Sequence, residues 1–278
     1  MSVPPRLATD LLLDPFGADW HWVRATALAA ETAGFDGLWT WDHLMGSVHG
    51  AGHVLESWTV LTALAAITQR VIIGPLTLNV ANRHPGTLAV MAATLQHLSG
   101  GRLMLGLGAG GGPDTPYAAE QAVFARRTPG DAVRRQQVEE AVGVLRQVWS
   151  GRVRTQPGKF FPLGEGLNPG FLRPNPPPPV IIGAFGPKMA QLAGRIGDGF
   201  NTQAQHPHLA QLLEIARREC AASDRATPFL ATVFAGFSER WLDESRPERS
   251  RLREVGVDRL MLIVGPEVDA RRLTAGVR

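Results

Sequence analysis

The sequence predicts an α/β fold, a single (β/α)8 TIM barrel spanning residues 1–278. Three observations predict it. Short apolar runs alternate with longer amphipathic ones, as they do in consecutive βα units. Eight such runs occur in order along the chain. The length, 278 residues, suits the roughly 250 that one barrel needs.

The strands are expected near Leu7 to Leu13, Gly37 to Trp41, Val71 to Leu78, Leu103 to Gly108, Val180 to Gly183, Gly199 to Asn201, Phe229 to Ala235 and Arg259 to Val264. Between them, helical patterns run from Trp20 to Ala33, Glu56 to Ile67, Pro85 to His97, Ala132 to Trp149, Lys188 to Ile196, His208 to Ala221, Glu239 to Val255, and from Val268 onward. Gly34 follows the first helix, where a left-handed residue ends a helix without steric cost. Pro85 opens the third, where its missing N–H is no loss. The fourth is the most periodic: Val138, Ala141, Val142, Leu145 and Val148 share one face, and Arg134, Arg135, Glu139 and Arg146 share the other. From Gly151 to Pro179 the helical period disappears, and the run Pro176 to Pro179 is stiff and extended. This irregular insertion between the fourth helix and fifth strand is expected over the barrel mouth, the alternative being a plain surface excursion.

Composition excludes several classes. Hydrophobic residues make up 44% and charged residues 19%, which is the balance of a folded globule. No apolar run approaches the ~18 residues of a membrane span, and no secretory leader pattern opens the chain. With Cys220 the single cysteine, a cytoplasmic protein without disulfides is expected. The net charge is only +3 and the arginines are interleaved with acids, so no basic stripe is offered to nucleic acid. Lysine occurs only at Lys159 and Lys188, a usage typical of GC-rich genomes.

Four segments carry candidate chemistry, because residues just past the strands of a βα barrel face its active end. After the second strand come Asp42 and His43; they line the site or, alternatively, cap a turn and decorate a loop. The third strand passes through Gly74-Pro75 toward Leu76, Thr77 and Asn79, with Arg83 beyond. The fourth strand ends in Gly106, Gly108, Ala109, Gly110 and Gly111. These spacings match G-x-G-x-x-G, but Pro113, Asp114 and Pro116 follow where a dinucleotide-binding helix would open. The glycines are expected instead to let a flat ring approach the backbone. After the fifth strand, Gly183-Ala184-Phe185-Gly186 leads into a helix with Lys188 in its first turn, an arrangement suited to phosphate. Metal ligation is not expected: His49 and His53 sit in a glycine-rich stretch with no helix to align them. Cys220 lies in a helical pattern and is expected to be inert.

In this order and spacing the four segments resemble the luciferase-like monooxygenase family, including its deazaflavin-dependent dehydrogenases and reductases. The resemblance covers nearly the whole chain and is most specific from Asp36 through Arg102-Leu103-Met104-Leu105-Gly106. It implies a barrel that binds coenzyme F420 or, alternatively, FMN, with the ring near the barrel axis. It implies that Asp42 and His43 contact the ring, with His43 near the site of hydride exchange. Leu76 and Thr77 would form a bulge behind the ring, often with a non-proline cis peptide. Gly183, Ala184, Phe185, Gly186 and Lys188 would hold the phosphate, while Asn79, Gly108 and Gly110 complete the candidate cofactor set. The sugar-phosphate dehydrogenases of the family carry a catalytic glutamate where this chain has Gly111, so either the acid comes from elsewhere, with Asp114 and Asp14 as candidates, or the substrate needs none. The expected function is F420-dependent hydride transfer to or from a small organic substrate. An FMN-dependent monooxygenase and a non-catalytic cofactor-binding barrel are the alternatives. Relatives are commonly homodimers, which is expected here too.

Overall fold

The computed structural model describes residues 6–151, 155, 157–164, 170–223, 228–269 and 273. Nine strands are β1 (Ala8–Leu13), β2 (Gly37–Thr40), β3 (Ile72–Pro75), β4 (Leu78–Asn79), β5 (Leu105–Gly108), β6 (Val180–Gly183), β7 (Gly199–Gln203), β8 (Leu230–Gly236) and β9 (Arg259–Val264). The helices are α1 (Trp20–Thr32), α2 (Ser57–Ile67), α3 (Pro85–Leu98), α4 (Ala118–Val123), α5 (Asp131–Ser150), α6 (Pro187–Ile196), α7 (Leu209–Ala221) and α8 (Pro247–Glu254).

All pairings between these strands are parallel, in the order β3-β2-β1-β9-β8-β7-β6-β5-β4. β3 and β4 are two halves of the one strand expected at Val71 to Leu78, parted at the Leu76–Thr77 peptide, which is cis. β4 pairs with β5, while Ile73 of β3 forms a parallel bridge to Leu103 just ahead of β5. The two halves thus share one edge of β5 and close the ring of eight, which is the predicted (β/α)8 barrel.

Local sequence explains the elements. Asp19 caps α1 by accepting from Trp22 N–H at 2.7 Å, and Glu56 caps α2 by accepting from Trp58 and Thr59 N–H at 3.0 and 2.7 Å. The predicted apolar face of α5 is buried at Val138, Ala141, Val142, Leu145 and Val148. Two expectations need correcting. The helix expected over Glu239 to Val255 divides into a 3-10 turn (Glu239–Leu242) and α8, because Pro247 occupies the first turn of α8, where no N–H is required. α4 was not expected; it lies within the loop that follows β5. The helix expected from Val268 falls largely outside the described residues, as does part of the insertion.

Two apolar layers hold the barrel. The outer layer lies between strands and helices; the inner one fills the barrel with Leu12, Trp39, Leu76, Met104, Ile181 and Met261. At the N-terminal end of the strands, fully buried Asp10 accepts from Arg259 Nε and Nη2 at 2.9 and 2.6 Å and from Trp39 Nε1 at 2.8 Å. Arg249, also fully buried, donates to Thr9 Oγ1, Leu7 O and Glu244 at the same end. The base is therefore occupied by paired charges, and open chemistry is confined to the C-terminal mouth. Among the described residues, no helix is long and apolar enough to cross a membrane, and no group of three or more His, Cys, Asp or Glu could hold a metal ion.

Candidate active site

His43 follows β2 by three residues, so the barrel delivers it to the mouth. Its Nδ1 lies 3.2 Å from both carboxylate oxygens of Glu120, contributed by α4. Glu120 is 3% exposed and also accepts from Leu44 N–H at 2.9 Å and Met45 N–H at 3.2 Å. Burial alone would raise its pKa, but the hydrogen bonds from His43, Leu44 and Met45 and the charge of His43 outweigh it, holding the carboxyl below its usual range. A charged Glu120 accepts hydrogen bonds only, so the Nδ1 of His43 carries a proton and Nε2 is left to accept or pass one.

An aromatic shell fixes the imidazole. Tyr117 lies 4.9 Å from the His43 ring and Phe16 lies 5.2 Å from it, centroid to centroid. Tyr117 Oη is 3.2 Å from His49 Nε2, joining the loops after β2 and β5. Asp14, at the end of β1, is held above its usual pKa by burial, with the charge of Glu267 adding to the effect and His49 and His43 opposing it. On the other side of the mouth, Trp41, Phe234 and Phe185 form a chain of edge contacts at 5.5 and 6.1 Å. Phe185, at the outer end of this chain, is 56% exposed.

The other candidates have distinct settings. Asp42 is 5% exposed and both its oxygens are occupied: Arg83 donates to each at 2.9 and 2.8 Å, and Asn79 N–H and Asn82 Nδ2 donate at 2.9 and 3.1 Å. Arg83 also pairs with Glu56. Asp42 thus ties the loop after β4 to the loop after β2. Thr77 packs over β5: a Cβ on Gly108 would strike Thr77 Oγ1, and one on Gly106 would strike Pro75 O. Protein atoms, without any ligand, account for these glycines. Gly110, at φ +68°, lies against the Asn79 side chain. Gly183 and Ala184 end β6 at the mouth, and Gly186 caps α6 with no side-chain hydrogen bond at that terminus. Lys188 is exposed and lines the groove between α5 and α6 with Arg135 and Arg195.

Asp114 is exposed on the loop after β5, and the carboxylate beside His43 belongs to Glu120. A Cβ on Gly111 would sit 2.5 Å from Thr115 Oγ1 and 2.6 Å from Tyr117 Cβ, because the loop folds back over that position. The space that a side chain at 111 would need is filled by Tyr117. Sequence reasoning missed Glu120 and Tyr117, since the loop read as irregular. One signal was present: Asp114, Glu120 and Asp131 are the only acids between Glu56 and Glu139.

Comparison with known proteins agrees with this architecture. The family model described as luciferase-like monooxygenase matches residues 1–240. An F420-dependent glucose-6-phosphate dehydrogenase of Microbacterium testaceum is 32% identical over 75% of this chain and 60% of its own length. An F420-dependent hydroxymycolic acid dehydrogenase of Mycobacterium tuberculosis is 37% identical over 68% of this chain and 51% of its own. The chain therefore spans about half to three fifths of these curated relatives. Among solved structures, an F420-dependent secondary alcohol dehydrogenase bound to an F420–acetone adduct superposes with a TM-score of 0.80 at 20% identity, covering 99% of this chain and 100% of that one. A monooxygenase of Streptomyces bottropensis superposes at 0.76 and 20% identity, covering 98% and 97%. At that identity the superpositions speak to the fold, and the barrel, its bulge and the matched sequence together lead to one conclusion: the chain belongs to the luciferase-like monooxygenase family.

Proposed function

We propose that the protein is an F420-dependent oxidoreductase acting on a small organic substrate at the barrel mouth. The observation that carries this reading is the His43–Glu120 pair, a buried carboxylate that orients one imidazole at a strand end. The names of the relatives at 32 and 37% identity supply the cofactor class.

The residues present fit such a cofactor. Phe185, Phe234 and Trp41 form an aromatic wall for a flat ring. A Cβ at Gly186 would meet nothing within 4 Å, and the α6 terminus it caps keeps backbone N–H groups for a phosphate. Gly183, Ala184, Phe185 and Gly186 would hold that end, and the Leu76–Thr77 bulge would support the ring from behind. When bound there, a deazaflavin would supply hydride transfer. His43 Nε2 holds or moves the proton of the substrate oxygen, while Glu120 keeps Nδ1 protonated. Asp42 orients the loop that carries Asn79 rather than touching the reactants. With Gly111 in place of an acid, Asp14 and the His43–Glu120 pair are the remaining proton-handling groups.

Titrating the purified chain separately with F420 and with FMN, by ring fluorescence, tests the cofactor. Saturable F420 binding without an FMN response is expected. Saturation by FMN alone would sink this reading and favour the monooxygenase one. His43→Ala is expected to retain F420 and to lower turnover of any accepted alcohol about 10²- to 10⁴-fold, the worth of one acid–base group.

A further inference from the structure

Beside the mouth lies a cleft of about 220 Å³ whose walls include Asn79, Gly111, Tyr117, Arg126, Arg127 and Thr128. None of residues 183–188 lines it, so it is separate from the α6 terminus. Every ionisable carboxylate is missing from its wall, and the charged residues there are all arginines: Arg126, Arg127 and Arg134.

These arginines are unevenly used. Arg134 spends its terminal nitrogens on Ala109 O, Gly110 O and Asp131, yet its Nε is buried without a partner. Arg126 gives a single bond, to Ala81 O at 2.9 Å. Arg127 has no partner among the described residues, and the hydroxyl of Thr128 is buried and unpaired. Arg126 and Arg127 are exposed, so water serves their free donors, whereas the Thr128 hydroxyl and Arg134 Nε are buried without a partner, which costs free energy that an acceptor in the cleft would recover. The acid that the family's sugar-phosphate dehydrogenases place at this strand end would sit at 111 and cancel part of this charge. Here Gly111 adds no acid, and with Arg134 paired to Asp131 the charge left to the cleft is that of Arg126 and Arg127.

We propose that this cleft binds the anionic group, a carboxylate or phosphate, of the second reactant. The assignment of that group to the substrate rests on the F420-dependent reading above. A guanidinium fork and a hydroxyl suit either oxyanion. At about 220 Å³ the cleft has room for an oxyanion and the stem that carries it. A molecule anchored there extends past Asn79 and Tyr117 toward His43, which places its reacting carbon in the mouth.

The test uses thermal melting of the full chain with saturating F420 in rising inorganic phosphate, at constant ionic strength set by chloride. Phosphate is expected to raise the melting temperature of the wild type and of Lys188→Ala. In Arg127→Glu the phosphate concentration for half the effect is expected to rise about tenfold or more, the loss of one charge-assisted contact. Arg127→Ala should do so more mildly. The F420 affinity of both Arg127 variants, read by fluorescence, should stay within about twofold of wild type. A phosphate response that is absent, or unchanged in Arg127→Glu, overturns the anion site. If Arg127→Glu weakens F420 about tenfold but leaves the same ring lacking phosphate and glutamyl tail unaffected, the anion is the cofactor's own and the substrate assignment falls. Failure of the wild type to bind F420 at all would instead sink the cofactor reading, while the Arg127-dependent phosphate response would still report on the cleft.

Discussion

At the scale of single residues, the site depends on one buried carboxylate. Folding holds the pKa of Glu120 below the ordinary 4.5, since His43 and two backbone N–H groups outweigh the cost of burial. Its contribution is thus fully present above about 4.5 and is lost as the pH falls through the lowered value. Glu120→Gln is expected to lose about 1.5–3 kcal/mol at neutral pH, the worth of hydrogen bonds to a charged group. Denaturant melts at neutral and strongly acidic pH should show that gap closing on the acid side. Gly111 admits no side chain, so Gly111→Glu should displace Tyr117 from His43 instead of restoring an acid in place. Tyr117 is the chain's only tyrosine, and its ring resonances in a tyrosine-labelled sample should lose the imidazole's ring-current shift in that variant. Unchanged resonances would mean that the loop can make room.

At the scale of elements, the interruption between β3 and β4 organises the mouth. It turns Thr77 over β5, and the β5 glycines exist because that turn occupies the space their side chains would need. Gly108→Ala should therefore cost about 1–3 kcal/mol through overpacking, read as a lower melting temperature; a neutral outcome would show that Thr77 can move aside. The same strand read as one continuous run in the sequence, since Val71 to Leu78 is apolar on both sides of the break. The loop after β4 is held by Asp42 and Arg83, so Arg83→Ala should leave Asp42 buried without its cation. A loss of about 3–5 kcal/mol is expected by chemical denaturation. α4 was invisible because six residues carry less than two turns of helical period, yet it delivers Glu120.

At the scale of the whole molecule, the barrel separates stability from chemistry. Its N-terminal end is filled by Asp10 with Arg259 and by buried Arg249, which leaves the C-terminal end for ligands. Arg259→Met should strand the Asp10 carboxylate inside the barrel and cost about 3–5 kcal/mol in denaturant unfolding, whereas an added Asp10→Leu should recover part of it. Cofactor affinity of the double variant should be unaffected if the two ends act independently.

By itself the sequence determined the barrel, the order of its strands and the place of His43, because periodicity and glycine or proline punctuation are local properties that survive in one dimension. Only the tertiary structure decided which acid stands at His43, that Asp42 is occupied by Arg83, and that Lys188 faces the α5–α6 groove. Glu120 and His43 are 77 residues apart and Asp42 and Arg83 are 41 apart, so their meeting depends on how the strand-end loops fold over a closed ring. Gly111 joins both levels: its identity was legible in the chain, but the reason for it, the ring of Tyr117 packed where a side chain would go, exists only in three dimensions.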